Sequence, residues 1–130
     1  MRGAIAFGIL LVLGAGGASA ANCANPTTQS EMNICANQSY ERADGELNVK
    51  YQEIVRRMQG GSGVALFRAA QRAWIPFRDA ECAFFASTYE GGSMQPMAMS
   101  VCLEDVTRKR IADFDAYLTC GEGACPVPAQ

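Results

Sequence analysis

Cys82 and Cys102 stand ten residues on either side of Gly92, in the middle of the run Glu90-Gly91-Gly92-Ser93. A chain that joins two such points across a glycine turn makes a hairpin. The flanking segments set its kind, because apolar residues recur in both at three- and four-residue steps. An antiparallel pair of helices clamped by a disulfide is therefore the expected centre of the molecule.

Whether those thiols oxidise depends on where the chain goes. Met1-Arg2 gives a positive start, Ala4 to Leu13 an almost wholly apolar stretch, and Ala18-Ser19-Ala20 a small-residue site. Residues 1–20 thus read as a secretory signal, cleaved after Ala20, with an apolar core too short for a stable membrane span. Ala20-Ala21-Asn22 before Cys23 lacks the aliphatic residue of a lipoprotein cleavage box, so a released periplasmic or secreted product is expected. In that setting six cysteines, an even number, make a disulfide framework.

The chain contains no histidine. Mixed-ligand zinc sites, Ser-His-Asp and Cys-His nucleophile systems and histidine pH switches all need one. No metal or cofactor is expected, and no catalysis. After the signal, about 110 residues remain, enough for one small domain at 21–120 followed by an irregular tail at 121–130. Losing Arg2 from 11 basic residues leaves 10 against 13 acidic ones, a net charge of −3. That balance gives a nucleic-acid partner no electrostatic support, and it is compatible with a cationic protein.

The chain reads as helical throughout. Thr28-Gln29-Ser30-Glu31 has the form of a capping box. Behind it Met32, Cys35 or Ala36, Tyr40, Ala43, Leu47, Tyr51, Ile54 and Met58 keep helical spacing, which predicts one long helix over about 28–59. Gly60-Gly61-Ser62-Gly63 ends it, since four such permissive residues cost too much backbone entropy to stay helical.

A second helix is expected from about Val64 to Tyr89, with Leu66, Ala70, Ala73, Trp74, Phe77 and Phe84 or Phe85 on its buried face and a kink before Pro76. A third begins near Pro96 and carries Met97, Val101, Val106, Ile111, Phe114 and Leu118 to about Thr119. The expected fold is all-α: a long first helix plus an antiparallel helical hairpin.

Fifteen pairings are open to six cysteines, and this helix layout favours one of them. Cys35 lies roughly 10 Å into the first helix, a distance the extended segment from Cys23 can double back across. Cys82 faces Cys102 across the hairpin, and Cys120 and Cys125 are left to close a short loop around Gly121 and Gly123.

Beyond the cysteines, several runs follow one another in a specific order. They are Met32-Asn33-x-Cys35, Ala43-Asp44-x-x-Leu47-Asn48-x-x-Tyr51, Ala70-Gln71-Arg72-Ala73-Trp74-x-x-x-Arg78-Asp79-x-x-Cys82, Gly91-Gly92-Ser93, and Cys102-Leu103 with Thr107, Arg110 and Leu118. This combination resembles the LprI-like lysozyme inhibitor family of small exported, mostly bacterial domains, over nearly all of Cys23 to Leu118. Cys120 and Cys125 stand outside the shared part. The resemblance implies a helical, disulfide-bonded domain that binds a lysozyme and does no chemistry of its own.

Three functions compete at this point. The first is a lysozyme inhibitor, an acidic domain drawn to a cationic glycosidase. The second is a periplasmic interaction or envelope accessory module with another protein target. The third, a carboxylate-pair glycosidase, needs two converging acids, and no spacing singles out such a pair.

The loop Tyr89, Glu90, Gly91, Gly92, Ser93 is the expected partner contact. It also has a purely structural role as a tight turn in which Ser93 caps the third helix. Asp44, Asn48, Gln71, Arg72, Trp74, Arg78 and Asp79 are the polar and aromatic motif residues. Asp44 and Asn48 share a helix face and can pair with Arg72 or Arg78, Trp74 is expected in the core, and Arg108-Lys109-Arg110 is expected to be a solvated helix face.

Overall fold

The computed structural model describes residues 21–121 and 123–128. The signal sequence read at 1–20 lies outside the described residues. Three helices make the domain, α1 (Gln29–Arg57), α2 (Gly63–Ala86) and α3 (Gln95–Thr119), with a 3₁₀ turn at Ser87–Tyr89 after α2. All three expected disulfides are present, Cys23–Cys35, Cys82–Cys102 and Cys120–Cys125.

α1 starts on the expected capping box. The Thr28 hydroxyl accepts the Glu31 backbone N–H, and the Glu31 carboxylate accepts the backbone N–H groups of Thr27 and Thr28. Those backbone donors hold the Glu31 carboxyl below its ordinary value. A depressed carboxyl stabilises the fold above its unfolded pKa, and the effect disappears as the pH falls through the folded value. Glu31→Gln should therefore lower the urea midpoint at neutral pH, and the gap to the natural chain should close in strong acid. A gap that stays constant down through the carboxylate range would show that the box works without the charge.

At the other end of α1, Gly60 takes the left-handed conformation (φ +87°) that turns the chain toward α2. α2 runs without interruption through Pro76. The second turn places Gly91 in the left-handed region (φ +73°), and α3 follows with Pro96 in its first turn, where a missing N–H costs nothing.

Because α2 returns antiparallel to α1, and α3 antiparallel to α2, the first and last helices run parallel. Their contacts keep a steady offset in sequence: Asn33 with Ser93, Lys50 with Asp115 and Arg57 with Leu118. α1 and α3 form the closest-packed pair. α2 leans on α3, and long side chains span the seam between α2 and α1, with Tyr51 stacked on Phe67 at 5.4 Å.

The core lies between α1 and α3. Ala43, Leu47 and Ile54 meet Ile111 and Phe114 there, and Val127 of the C-terminal segment is buried among them. Phe67 from α2 closes the side against Phe114, with ring centroids 5.2 Å apart. The apolar stripe read from α1 is the one that is buried. In the irregular tail, burial of Val127 was not signalled by the sequence. It follows from the Cys120–Cys125 loop, which turns the chain back against the bundle.

α2 departs from expectation in its orientation. Leu66, Phe77, Phe84 and Phe85 are 75, 58, 78 and 50 % exposed, and Ala70 and Ala73 are exposed beside them. The inward residues are instead Gln71, Arg78, Cys82 and Ala86, with Phe67 and Trp74 half-buried. The bridge to Cys102 requires Cys82 to face α3. Residues three, four, seven or eight positions from a helical residue share its face, so Cys82 takes Arg78, Trp74 and Ala86 inward with it. The more apolar stripe is turned to the outside.

Candidate functional site

Two groups of residues are candidates for a functional role: a polar cluster where the inward face of α2 meets α1 and α3, and the loop at the tip of the hairpin.

Arg78 is the centre of the cluster. Its side chain is only 8 % exposed, a placement that demands partners for the charge. Nη1 donates to Asp44 Oδ1 of α1 at 3.0 Å and Nε to Asp79 Oδ1 at 2.9 Å. The guanidinium also lies over two rings, Trp74 at 5.1 Å and Tyr40 at 5.4 Å, a cation–π geometry that adds to the ion pairs. Asn48 supports the arrangement from one turn along α1, donating to Asp44 Oδ2 at 3.3 Å. Burial alone works against the charged Arg78, but the two carboxylates and Tyr40 outweigh it and hold the guanidinium protonated. Burial pushes the Tyr40 hydroxyl up from its ordinary value, and the nearby Arg78 charge partly opposes this.

A second arginine extends the cluster. Arg110 of α3 donates from Nε to Gln71 Oε1 at 3.2 Å and lies over Trp74 at 5.8 Å and Phe114 at 4.9 Å. Trp74 is therefore a half-buried plate serving two guanidiniums, in keeping with its expected core role. Arg110, with a side chain 13 % exposed, departs from the expected solvated Arg108-Lys109-Arg110 face. Only Arg108 and Lys109 are exposed, and Arg108 pairs with Glu104. The signal for Arg110 was its position, one helical turn before Phe114 and so on the same face of α3.

Of the motif residues, Asp44, Asn48, Gln71, Trp74, Arg78 and Asp79 are brought together, and Arg72 is not. It lies exposed on the flank of α2, two turns before Asp79, with no ion pair or hydrogen bond among the described residues. Asp44 and Asp79 converge on Arg78 rather than on an open cleft, so their carboxylates act as counter-ions. Among the described residues no group of His, Cys, Asp or Glu is arranged to hold a metal ion, and no helix is long and apolar enough to cross a membrane.

The tip loop is built for rigidity. Tyr89 is 38 % exposed, and Glu90, Gly91, Gly92 and Ser93 are all exposed. Gly92 N–H donates to the Tyr89 carbonyl at 2.9 Å, and Gly91 N–H to Gln95 Oε1 at 3.2 Å. Ser93 does not cap α3. The cap position belongs to Met94, which makes no side-chain capping bond, and the Ser93 carbonyl instead accepts Asn33 Nδ2 of α1 at 3.0 Å. Ser93 Oγ has no partner among the described residues, so the loop presents a free hydroxyl as well as the exposed Glu90. The expected cap fails because α3 begins at Gln95, one residue too late for Ser93 to stand at its cap position.

A protein of Rhizobium meliloti (strain 1021), itself uncharacterized, is 36 % identical over 113 residues, spanning 78 % of this chain and 81 % of the relative. No solved structure matches the chain. Residues 20–114 match the family described as lysozyme inhibitor LprI, a stretch that holds α1, α2, the tip loop and most of α3. With the Cys23–Cys35 and Cys82–Cys102 bridges and the Asp44–Arg78–Trp74 cluster inside that stretch, the chain belongs to the LprI lysozyme inhibitor family.

Proposed function

We propose that the protein is exported and inhibits a lysozyme by presenting the Tyr89–Ser93 loop to the enzyme, with no catalysis of its own. The observation that carries this reading is the family match over residues 20–114, and the geometry of the loop supports it. A tip held by a disulfide at its base, two internal hydrogen bonds and the Asn33 bond loses little entropy on entering a cleft. The Glu90 carboxylate suits the cationic rim of such an enzyme, and the Ser93 hydroxyl is a donor for a carboxylate within it. The net charge of the chain, −2 over all 130 residues, favours encounter with a basic partner.

The test is the clearing of a bacterial suspension by several lysozyme types in the presence of the oxidised chain starting at residue 21. Clearing should slow in a dose-dependent way, and the effect should weaken with added salt. Glu90→Arg and Ser93→Trp should each raise the inhibitory concentration about tenfold or more, given that central interface residues carry most of the binding energy. Both sites are exposed, so circular dichroism should be unchanged. The glycines are poor probes: a Cβ at Gly92 would meet the Tyr89 carbonyl at 3.2 Å, and Gly91 has a positive φ. Unimpeded clearing at large molar excess for every lysozyme type would end the reading.

A further inference from the structure

The outer face of α2 carries Leu66, Ala70, Ala73, Phe77, Ala80 and Phe84, six apolar residues separated by steps of four, three, four, three and four. All six are exposed. Ala65, Ala69, Pro76 and Ala83 flank them, so at about 100° per residue the ten side chains fill an arc of roughly 140° without a single charge. The outer face of a helix packed on one side is normally polar, whereas this one has the seam of a coiled coil.

The order of residues along the seam is symmetric about Ile75. Read in the opposite direction, Leu66 falls opposite Phe84, Ala70 opposite Ala80 and Ala73 opposite Phe77. Each pair joins one seam position of the heptad with the other, as antiparallel helices require, and at the centre a large ring meets a methyl group. Arg72 and Asp79 lie outside this arc, about 120–140° round the helix from the middle of the seam, and take no part in it.

We infer that this face is a docking surface for a second copy of the same chain, with two α2 helices packed antiparallel about a two-fold axis beside Ile75. A two-fold contact is self-complementary by necessity, and here the sizes along the seam are. A parallel pairing would instead stack Phe77 on Phe77 and leave Ala73 against Ala73. Leu66, Phe77 and Phe84 together expose on the order of 400 Å². With the small residues between them, the pair buries on the order of 1,200 Å² in total, the lower bound for a specific interface. A dimer that dissociates in the micromolar range follows. Its two tip loops point in opposite directions, about 36 Å or more apart, the length of a helix of this size, so each stays free.

Sedimentation equilibrium of the oxidised chain from residue 21 onward, up to about 200 µM, tests this. A reversible monomer–dimer equilibrium is expected. Phe77→Glu should leave only monomer, and circular dichroism and intact disulfides will show that the exposed site tolerates the change. Ala73→Lys added to Phe77→Glu reads the direction of pairing: an antiparallel dimer sets the two opposite charges against each other and returns in part, whereas a parallel one sets like charges together and stays monomeric. Monomer at the highest concentration, dimers unaffected by Phe77→Glu, or no recovery with the added Ala73→Lys would each overturn the inference. So would a monomer that floats with phosphatidylcholine vesicles through Phe77 and Phe84, which would assign the face to a membrane surface.

Discussion

Replacing Arg78 with alanine is expected to reduce the unfolding free energy by about 3 kcal/mol, near the lower end of the range for breaking a buried ion pair. The side chain is almost fully enclosed, and its loss removes two ion pairs and two ring contacts together. Asp44 and Asp79 are 38 and 51 % exposed. Water can resolvate the abandoned carboxylates, which keeps the cost below that of a sealed site. For a domain of this length the change lowers the melting temperature by about 15 °C. Arg78→Lys keeps a charge but neither the flat surface over Trp74 and Tyr40 nor the forked donors, so it should fall roughly midway. Urea unfolding with disulfides intact measures both variants. A loss under about 1 kcal/mol for the alanine variant would mean that the cluster does no more than an exposed pair.

The second large effect belongs to the Cys82–Cys102 bridge. It closes a loop of 20 residues, so its removal by paired alanines should cost about 3 kcal/mol through the freed unfolded chain. Cys82 is also fully buried, so removing the sulfurs sacrifices a little packing as well. Cys120 and Cys125 are five residues apart, and removing them should cost nearer to about 2 kcal/mol on the same entropic scale. If the short bridge proved the more costly, its seating of Val127 in the core would outweigh the entropy of loop closure. A direct check is Val127→Ala, which should then be destabilising only while the short bridge is intact.

Much of the fold was legible because its determinants are local. Thr28 and Glu31 mark a helix start whose two reciprocal bonds depend on three-residue spacing alone. Gly60 and Gly91 mark turns that need a positive φ, and helix rise and register suffice to pair the cysteines. The orientation of α2 was not legible from hydrophobicity, since the helix carries two stripes in different phase. The greasier one, through Leu66, Phe77 and Phe84, outscores the one that holds Gln71, Arg78 and Cys82. The phase of Cys82 decides between them, and this information was present in the sequence once Cys102 was taken as its partner. The sequence offered Arg72 and Arg78 alike as partners for Asp44. Asp44 and Tyr40 lie more than thirty residues from Arg78, so only the tertiary structure chooses between the two arginines. At the tip, the loop's exposure was readable from its composition, while the bond from Asn33 that ties it to α1 was not.

The parallel pairing of α1 with α3 fixes an order of events as the protein is made. The contacts that join these helices connect residues about 60 to 68 apart, so the first helix has nothing to fold against until the last has emerged. Contacts this distant slow folding, and Leu47 and Ile54 stay uncovered in the meantime, open to aggregation. Only Cys23–Cys35 can close early within that waiting segment, and it secures the beginning of α1 rather than its apolar half. The nascent chain therefore stays open until its end arrives, which is the state that passage through a narrow pore would require under the export proposed above.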